Sequence, residues 1–104
     1  MYYLKKRKVI KDFKQLKMNI EILKFSATWC GPCRVLANTL KDVEGITNID
    51  IEKDQETARK YGIRSVPTMV FLKNDKEVHR ISGSIPLDKY NQILDEIKFS
   101  KEIE

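Results

Sequence analysis

The stretch Trp29-Cys30-Gly31-Pro32-Cys33 constrains the fold of this chain more than any other, because it stands where a buried strand gives way to a helix. Before it, Ile20 to Ala27 reads Ile-Glu-Ile-Leu-Lys-Phe-Ser-Ala, mostly apolar, as expected of a strand covered on both faces. After it, Pro32 suits the first turn of a helix, where its missing N–H costs nothing. Leu36, Leu40 and Val43 then make an apolar stripe at i, i+4 and i+7, and Gly45 is the expected C-terminal cap. A cysteine at a helix N-terminus faces unpaired backbone N–H groups and the positive end of the helix dipole. Both favour thiolate, and such sites lower a thiol pKa from about 8.5 into a range of roughly 3.5–7.5. Cys30 occupies that position. Cys33 lies one turn further in, on the same face, within bridging distance and more shielded. The division of labour follows: Cys30 attacks a substrate disulfide, and Cys33 then attacks the mixed disulfide and releases the reduced substrate.

Further along, Ile46 to Ile51 reads as a second core strand, and Gln55 to Tyr61 as a short helix stopped by Gly62. Thr68 to Lys73 and Lys76 to Ser82 read as strands joined through Asn74-Asp75, an acceptable hairpin turn. A last helix over Leu87 to Phe99 places Leu87, Tyr90, Leu94 and Ile97 on one face. In the first twenty residues, Tyr2 to Leu4 or Val9-Ile10 could pair as a strand, and Ile10, Phe13 and Leu16 recur at helical spacing. The order is β-α-β-α-β-α-β-β-α. Helices between the early strands imply parallel pairing and the late hairpin implies antiparallel pairing, so the predicted fold class is α/β, a mixed central sheet with helices on both faces.

At 104 residues without a linker or repeat, the chain is expected to form a single domain over residues 1–104. No apolar run approaches the roughly 20 residues that cross a bilayer, and the N-terminus lacks the apolar stretch of a secretory signal. Two cysteines without such a signal do not suggest a secreted disulfide scaffold, and a reducing cytoplasm is the expected compartment. The net charge of +5 is spread along the chain. The basic run Lys5 to Lys8 reads as a solvated strand edge. No aromatic and basic interleaving points to nucleic acid as a partner.

A zinc reading of the cysteine pair lacks ligands, since His79 is the only histidine and there is no third cysteine. A purely structural disulfide across two intervening residues closes too small a loop to stabilise much. No glycine-rich nucleotide or flavin motif is present, so no cofactor and no metal are expected, and electrons must come from a partner protein.

Here the sequence resembles the thioredoxin family. Trp29-Cys30-Gly31-Pro32-Cys33 matches that family's active-site motif letter for letter. Tyr61-Gly62-Ile63-Arg64-Ser65-Val66-Pro67-Thr68 is similar to its second signature, and Gly83 to a third. The resemblance covers Ile20 to Ile97 and implies a thioredoxin fold in which Pro67 is a cis proline packed against the cysteines. Read alone, Pro67 is equally an ordinary trans proline opening a strand. A cis bond would leave the Val66 backbone free to pair with an extended substrate. Trp29, Gly31, Pro32, Val66, Pro67 and Gly83 would line the docking surface, though Trp29 alone could be a core aromatic. Gly31-Pro32 between the cysteines is similar to the reducing members and favours a reductase. The activity implied is reduction of protein disulfides by a monomer that a thioredoxin reductase re-reduces. An oxidase or isomerase on the same fold and a binding module that dispenses with the cysteines are the alternatives.

The sequence also departs from the family. Six residues before Cys30, where a buried acid is typical, stands Lys24. An ammonium cannot take a proton from Cys33, but it stabilises a thiolate. A charge-swapped pair of Lys24 with Asp50 or Glu52 would keep an acid near the site; alternatively Lys24 snorkels to solvent. Lys24 and Asp50 are thus the expected redox-tuning side chains, together with Gly31 and Pro32. Ser26 replaces an aromatic residue, Asn38 replaces a kinking proline, and the stretch from Cys33 to Pro67 is shorter than usual.

Overall fold

The apolar run that begins at Ile20 lies inside a four-stranded sheet, in a computed structural model that describes residues 19–99. Its elements in chain order are β1 (Ile20–Ser26), α1 (Gly31–Thr39), β2 (Ile46–Asp50), α2 (Gln55–Lys60), β3 (Thr68–Lys73), β4 (Lys76–Ser82) and α3 (Leu87–Phe99). The strands lie in the order β2-β1-β3-β4; β1 and β2 are parallel, and the other neighbours antiparallel. The expected mixed sheet is therefore present. The readings of Tyr2 to Leu4, of Val9-Ile10, of Ile10, Phe13 and Leu16, and of Lys5 to Lys8 fall outside the described residues.

The pleat sorts β1 and β3 into two cores. Ile22, Met69 and Phe71 face α1 and α3, meeting Leu36, Leu40, Tyr90, Ile93 and Ile97. Leu23, Phe25, Val70 and Leu72 face the other way, against Ile49 and the partly buried Ile51, Tyr61, Ile63 and Val66 of the β2–β3 connection. Four consecutive buried residues in β1 and five in β3 explain why these strands read as continuous apolar runs.

The helix ends follow local chemistry. Asp54 caps α2, its carboxylate accepting the Thr57 N–H at 3.1 Å and the Thr57 hydroxyl at 2.8 Å, with Glu56 in the first turn and Arg59 and Lys60 in the last. Gly62, at φ +63°, then reverses the chain. Asn74 and Asp75 both take positive φ, 53° and 69°, as a two-residue hairpin turn demands.

Two helix readings need correction. α1 stops at Thr39, where the Leu40 N–H closes onto the Leu36 carbonyl, so Gly45 caps no helix. Asn38 and Thr39 are weak helix formers, and Val43 reaches the core from the connecting loop instead. In α3 the buried stripe is Tyr90, Ile93 and Ile97, with Leu94 partly buried against the same core, while Leu87 stands 42% exposed.

Candidate active site

The turn between β1 and α1 is held by the Cys30 N–H donating to the Ala27 carbonyl at 3.2 Å and the Arg34 guanidinium donating to the Thr28 carbonyl at 3.0 Å. Cys30 is the N-cap of α1, with extended backbone (φ −95°, ψ 114°), and its Sγ accepts the Cys33 N–H at 3.1 Å. The sulfur thus occupies the place usually taken by the oxygen of a serine or aspartate cap. No acidic side chain in the first turn opposes negative charge there. Cys30 and Cys33 are joined as a disulfide, with Cα atoms 5.2 Å apart. Gly31 and Pro32 between them are exposed.

The two cysteines are 4% and 5% exposed, so the greater shielding expected of Cys33 is not found. Both pack with Ala27 under Val66 and Ile51, and the Cys30 Sγ lies 3.7 Å from the Val66 carbonyl oxygen. The difference between the sulfurs is one of helix position rather than exposure.

The Val66–Pro67 peptide bond is cis. Pro67 is fully buried, and its carbonyl accepts the Gly83 N–H at 2.8 Å, which draws Gly83 to the same loop. Gly83 has φ +90°, a region that favours glycine. Below the loop, the Thr68 hydroxyl donates to the Ser65 carbonyl at 2.8 Å. The Val66 N–H donates to no described residue.

Trp29 is 63% exposed, which excludes a core role. Its indole N–H donates to Glu52 at 2.9 Å, and the Glu52 N–H donates to the Asp50 carboxylate at 2.8 Å. Asp50 therefore shapes the loop that steadies Trp29. Sequence reasoning missed this link; its only signal was that Asp50 to Glu52 end a strand parallel to the one that leads into the cysteines, and ligand sites gather at such strand ends.

The charge-swapped pair is not formed. Lys24 stands opposite Asn48 on β2 and Met69 on β3, whereas Asp50 stands opposite Ser26, two residues along. The Lys24 side chain makes no hydrogen bond or ion pair with Asp50, Glu52 or any other described residue. At 8% exposure Lys24 is nevertheless the only buried charged side chain among the described residues. It lies on the α1 face of β1, one pleat beyond Ile22, which packs with Leu36 and Leu40. Cys33 of α1 clusters with Ala27, and Leu36 with Ile22, so the helix runs back along β1.

Burial pushes the Lys24 ammonium below its usual pKa. The unfolded chain then binds more protons than the folded one between the depressed value and the ordinary lysine value of 10.5, so stability rises with pH across that window. Lys24→Met has no such dependence on pH. Its stability advantage is expected to be greatest near neutral pH and to shrink as pH climbs through the window, as urea titrations at several alkaline pH values will read. A constant difference between the two proteins would contradict it.

Among the described residues no group of three or more His, Cys, Asp or Glu is placed to hold a metal. No helix among them is long and apolar enough to cross a membrane.

Comparison with known proteins agrees with this geometry. The family model described as Thioredoxin matches residues 5–96. A thioredoxin of Staphylococcus epidermidis is 30% identical over 88 residues, covering 78% of this chain and 85% of its own. One from Staphylococcus aureus is 32% identical over the same shares. Among solved structures, a variant thioredoxin from Halobacterium salinarum superposes with a TM-score of 0.72 at 26% identity, covering 82% of this chain and 79% of that one. The reduced thioredoxin pre-protein of Schistosoma mansoni gives 0.70 at 30%, over 85% and 88%. A helix-capping cysteine pair beside a cis-proline loop, on this sheet and with these relatives, means that the chain belongs to the thioredoxin family and is a dithiol–disulfide oxidoreductase of the protein-disulfide reductase kind.

Proposed function

We propose that this chain works as a monomeric, single-domain cytoplasmic reductase in which Cys30 attacks and Cys33 resolves. The observation that carries the assignment is the Cys33 N–H donated to the Cys30 sulfur at 3.1 Å, at the start of α1. In the reduced protein that donor and the helix dipole favour thiolate on Cys30. The thiolate attacks one sulfur of a protein disulfide; a Cys30–substrate bond forms, the substrate bond breaks, and the departing thiolate takes a proton. Cys33 then gives up its proton and attacks the Cys30 sulfur. The Cys30–Cys33 bond forms, the second substrate thiolate leaves, and two electrons have passed to the substrate. A thioredoxin reductase returns the pair to the dithiol.

Trp29, Val66, Pro67 and Gly83 receive the substrate, and the unpaired Val66 N–H supports docking by added-strand hydrogen bonds. Gly31 and Pro32 leave the approach to the sulfurs open. Asp50 acts on this surface through Glu52 and Trp29. Lys24, as an ammonium, cannot accept the Cys33 proton, which passes instead to solvent or to the departing thiolate.

The test is the reduction potential of the Cys30–Cys33 couple, measured against defined glutathione ratios. A value more reducing than the cytosolic glutathione poise supports the reductase. A value well above it supports an oxidase or isomerase, the reading that a buried Lys24 favours, because its charge stabilises the reduced thiolate. Lys24→Met is therefore expected to make the couple more reducing by about 30 mV, a tenfold change in equilibrium for two electrons. An unchanged potential would show that the ammonium does not reach the sulfurs.

A further inference from the structure

An open groove of about 520 Å³ lies beside the cysteine site, between the end of β2 and the helix and loop that follow. Its apolar floor is Ile51, Ala58 and Ile63, all partly buried. Ile51 also packs against the cysteine cluster, and Glu52 on the rim holds the Trp29 indole, so groove and redox site share a wall. Gln55, Ala58 and Arg59 line the groove from one face of α2, which turns Glu56 and Lys60 away from it. Its charged groups are Glu52, Arg59 and Arg64. Glu52 is engaged by Trp29, whereas the side chains of Arg59 and Arg64 make no hydrogen bond or ion pair with any described residue.

Apolar floor, continuity with the sulfurs and two unsatisfied guanidinia describe a subsite for a chain that carries negative charge. We infer that the groove receives the segment flanking the reducible cysteine of a protein substrate, and that it selects segments bearing Asp or Glu, whose carboxylates pair with Arg59 and Arg64. Arginine suits this task because its planar fork donates two parallel hydrogen bonds to a carboxylate. The inference rests on the reductase reading, since it places the acidic segment relative to a cysteine bound at Cys30. It adds a preference that the cysteine motif itself does not contain.

The test uses synthetic disulfide-linked peptides with Glu-Glu, Gln-Gln or Lys-Lys on either side of the cysteine, read as kcat/KM at low and high salt. Exposed ion pairs are individually weak, so two arginines together are expected to favour the Glu peptide over the Gln peptide by roughly fivefold at low salt. The Lys peptide should be poorer still, and high salt should compress the series. In the Arg59→Gln/Arg64→Gln double variant the Glu-to-Gln ratio should fall to about one.

A Lys89→Gln/Lys98→Gln variant removes the same charge from α3, across the sheet from the groove, and should keep the ratio. Equal rates on all three peptides in the wild type would overturn the inference while leaving the reductase reading intact. A ratio lowered as much by the α3 variant would also overturn it, since general attraction to a basic protein would then suffice. Failure to reduce any of the peptides would instead sink the reductase reading.

Discussion

Cys33→Ser is expected to accumulate a long-lived mixed disulfide through Cys30, whereas Cys30→Ser is expected to lose turnover altogether. The difference follows from where each sulfur sits. Cys30 is the N-cap, its sulfur accepts a backbone N–H, and no first-turn acid opposes negative charge there. Those groups remain when Cys33 becomes serine, so the first attack proceeds, and only the resolving thiol is missing. Removing Cys30 deletes the one thiol at the helix start and leaves Cys33 without the cap position. Cys33 is no more buried than Cys30, so accessibility alone cannot rescue or forbid its attack. Incubating each variant with a disulfide-bonded protein and separating the products without reductant will show the outcome. Trapped complexes with Cys30→Ser and none with Cys33→Ser would reverse the roles. No complex with either variant would refute the two-step exchange.

Much of this site was legible because it is built from local chemistry. Pro32 and the apolar stripe through Leu36 placed a helix start at the cysteines. Asn74 and Asp75, residues that tolerate positive φ, set the hairpin with both strand bounds. What stayed hidden depends on register and on which of two equivalent faces is covered. Lys24 faces Asn48 rather than Asp50 because β1 and β2 align Ser26 with Asp50, an offset set by a loop whose length carries no register of its own. The same alignment frees the end of β2 to reach Trp29 through Glu52, a contact between segments that share no sequence pattern. In α3, both Leu94 and Ile93 fit a helical stripe with Tyr90 and Ile97. The packing against β3 buries Ile93 and leaves Leu87 at the exposed first turn. Val43 served the core as expected, but from a loop, since an apolar residue can reach inward without a helix beneath it.

The core beneath α1 and α3 sets the largest stability effect. Phe71 lies on β3, between β1 and β4, and has no exposed surface. Its ring meets His79 edge-on at 5.7 Å and Tyr90 at 6.2 Å, and its cluster joins one face of the sheet to both helices. Phe71→Ala removes that ring from the middle of two flanking layers, which cannot both collapse onto the gap. The expected cost is about 3–5 kcal/mol, from lost transfer energy plus the cavity left behind. A domain of this size holds only about 5–15 kcal/mol in total, so the variant should fold but unfold at a much lower urea concentration with a similar slope. Phe71→Leu, which keeps most of the volume, should cost under about 1.5 kcal/mol. Cys30 and Cys33 belong to a separate small cluster with Ala27, Val66 and Ile51. The potential of the folded Phe71→Ala protein, measured without denaturant, should therefore match the wild type. A large shift would mean that packing under α1 reaches the sulfurs, which would make the helix position, and with it the thiolate on Cys30, a property of the whole core rather than of its first turn.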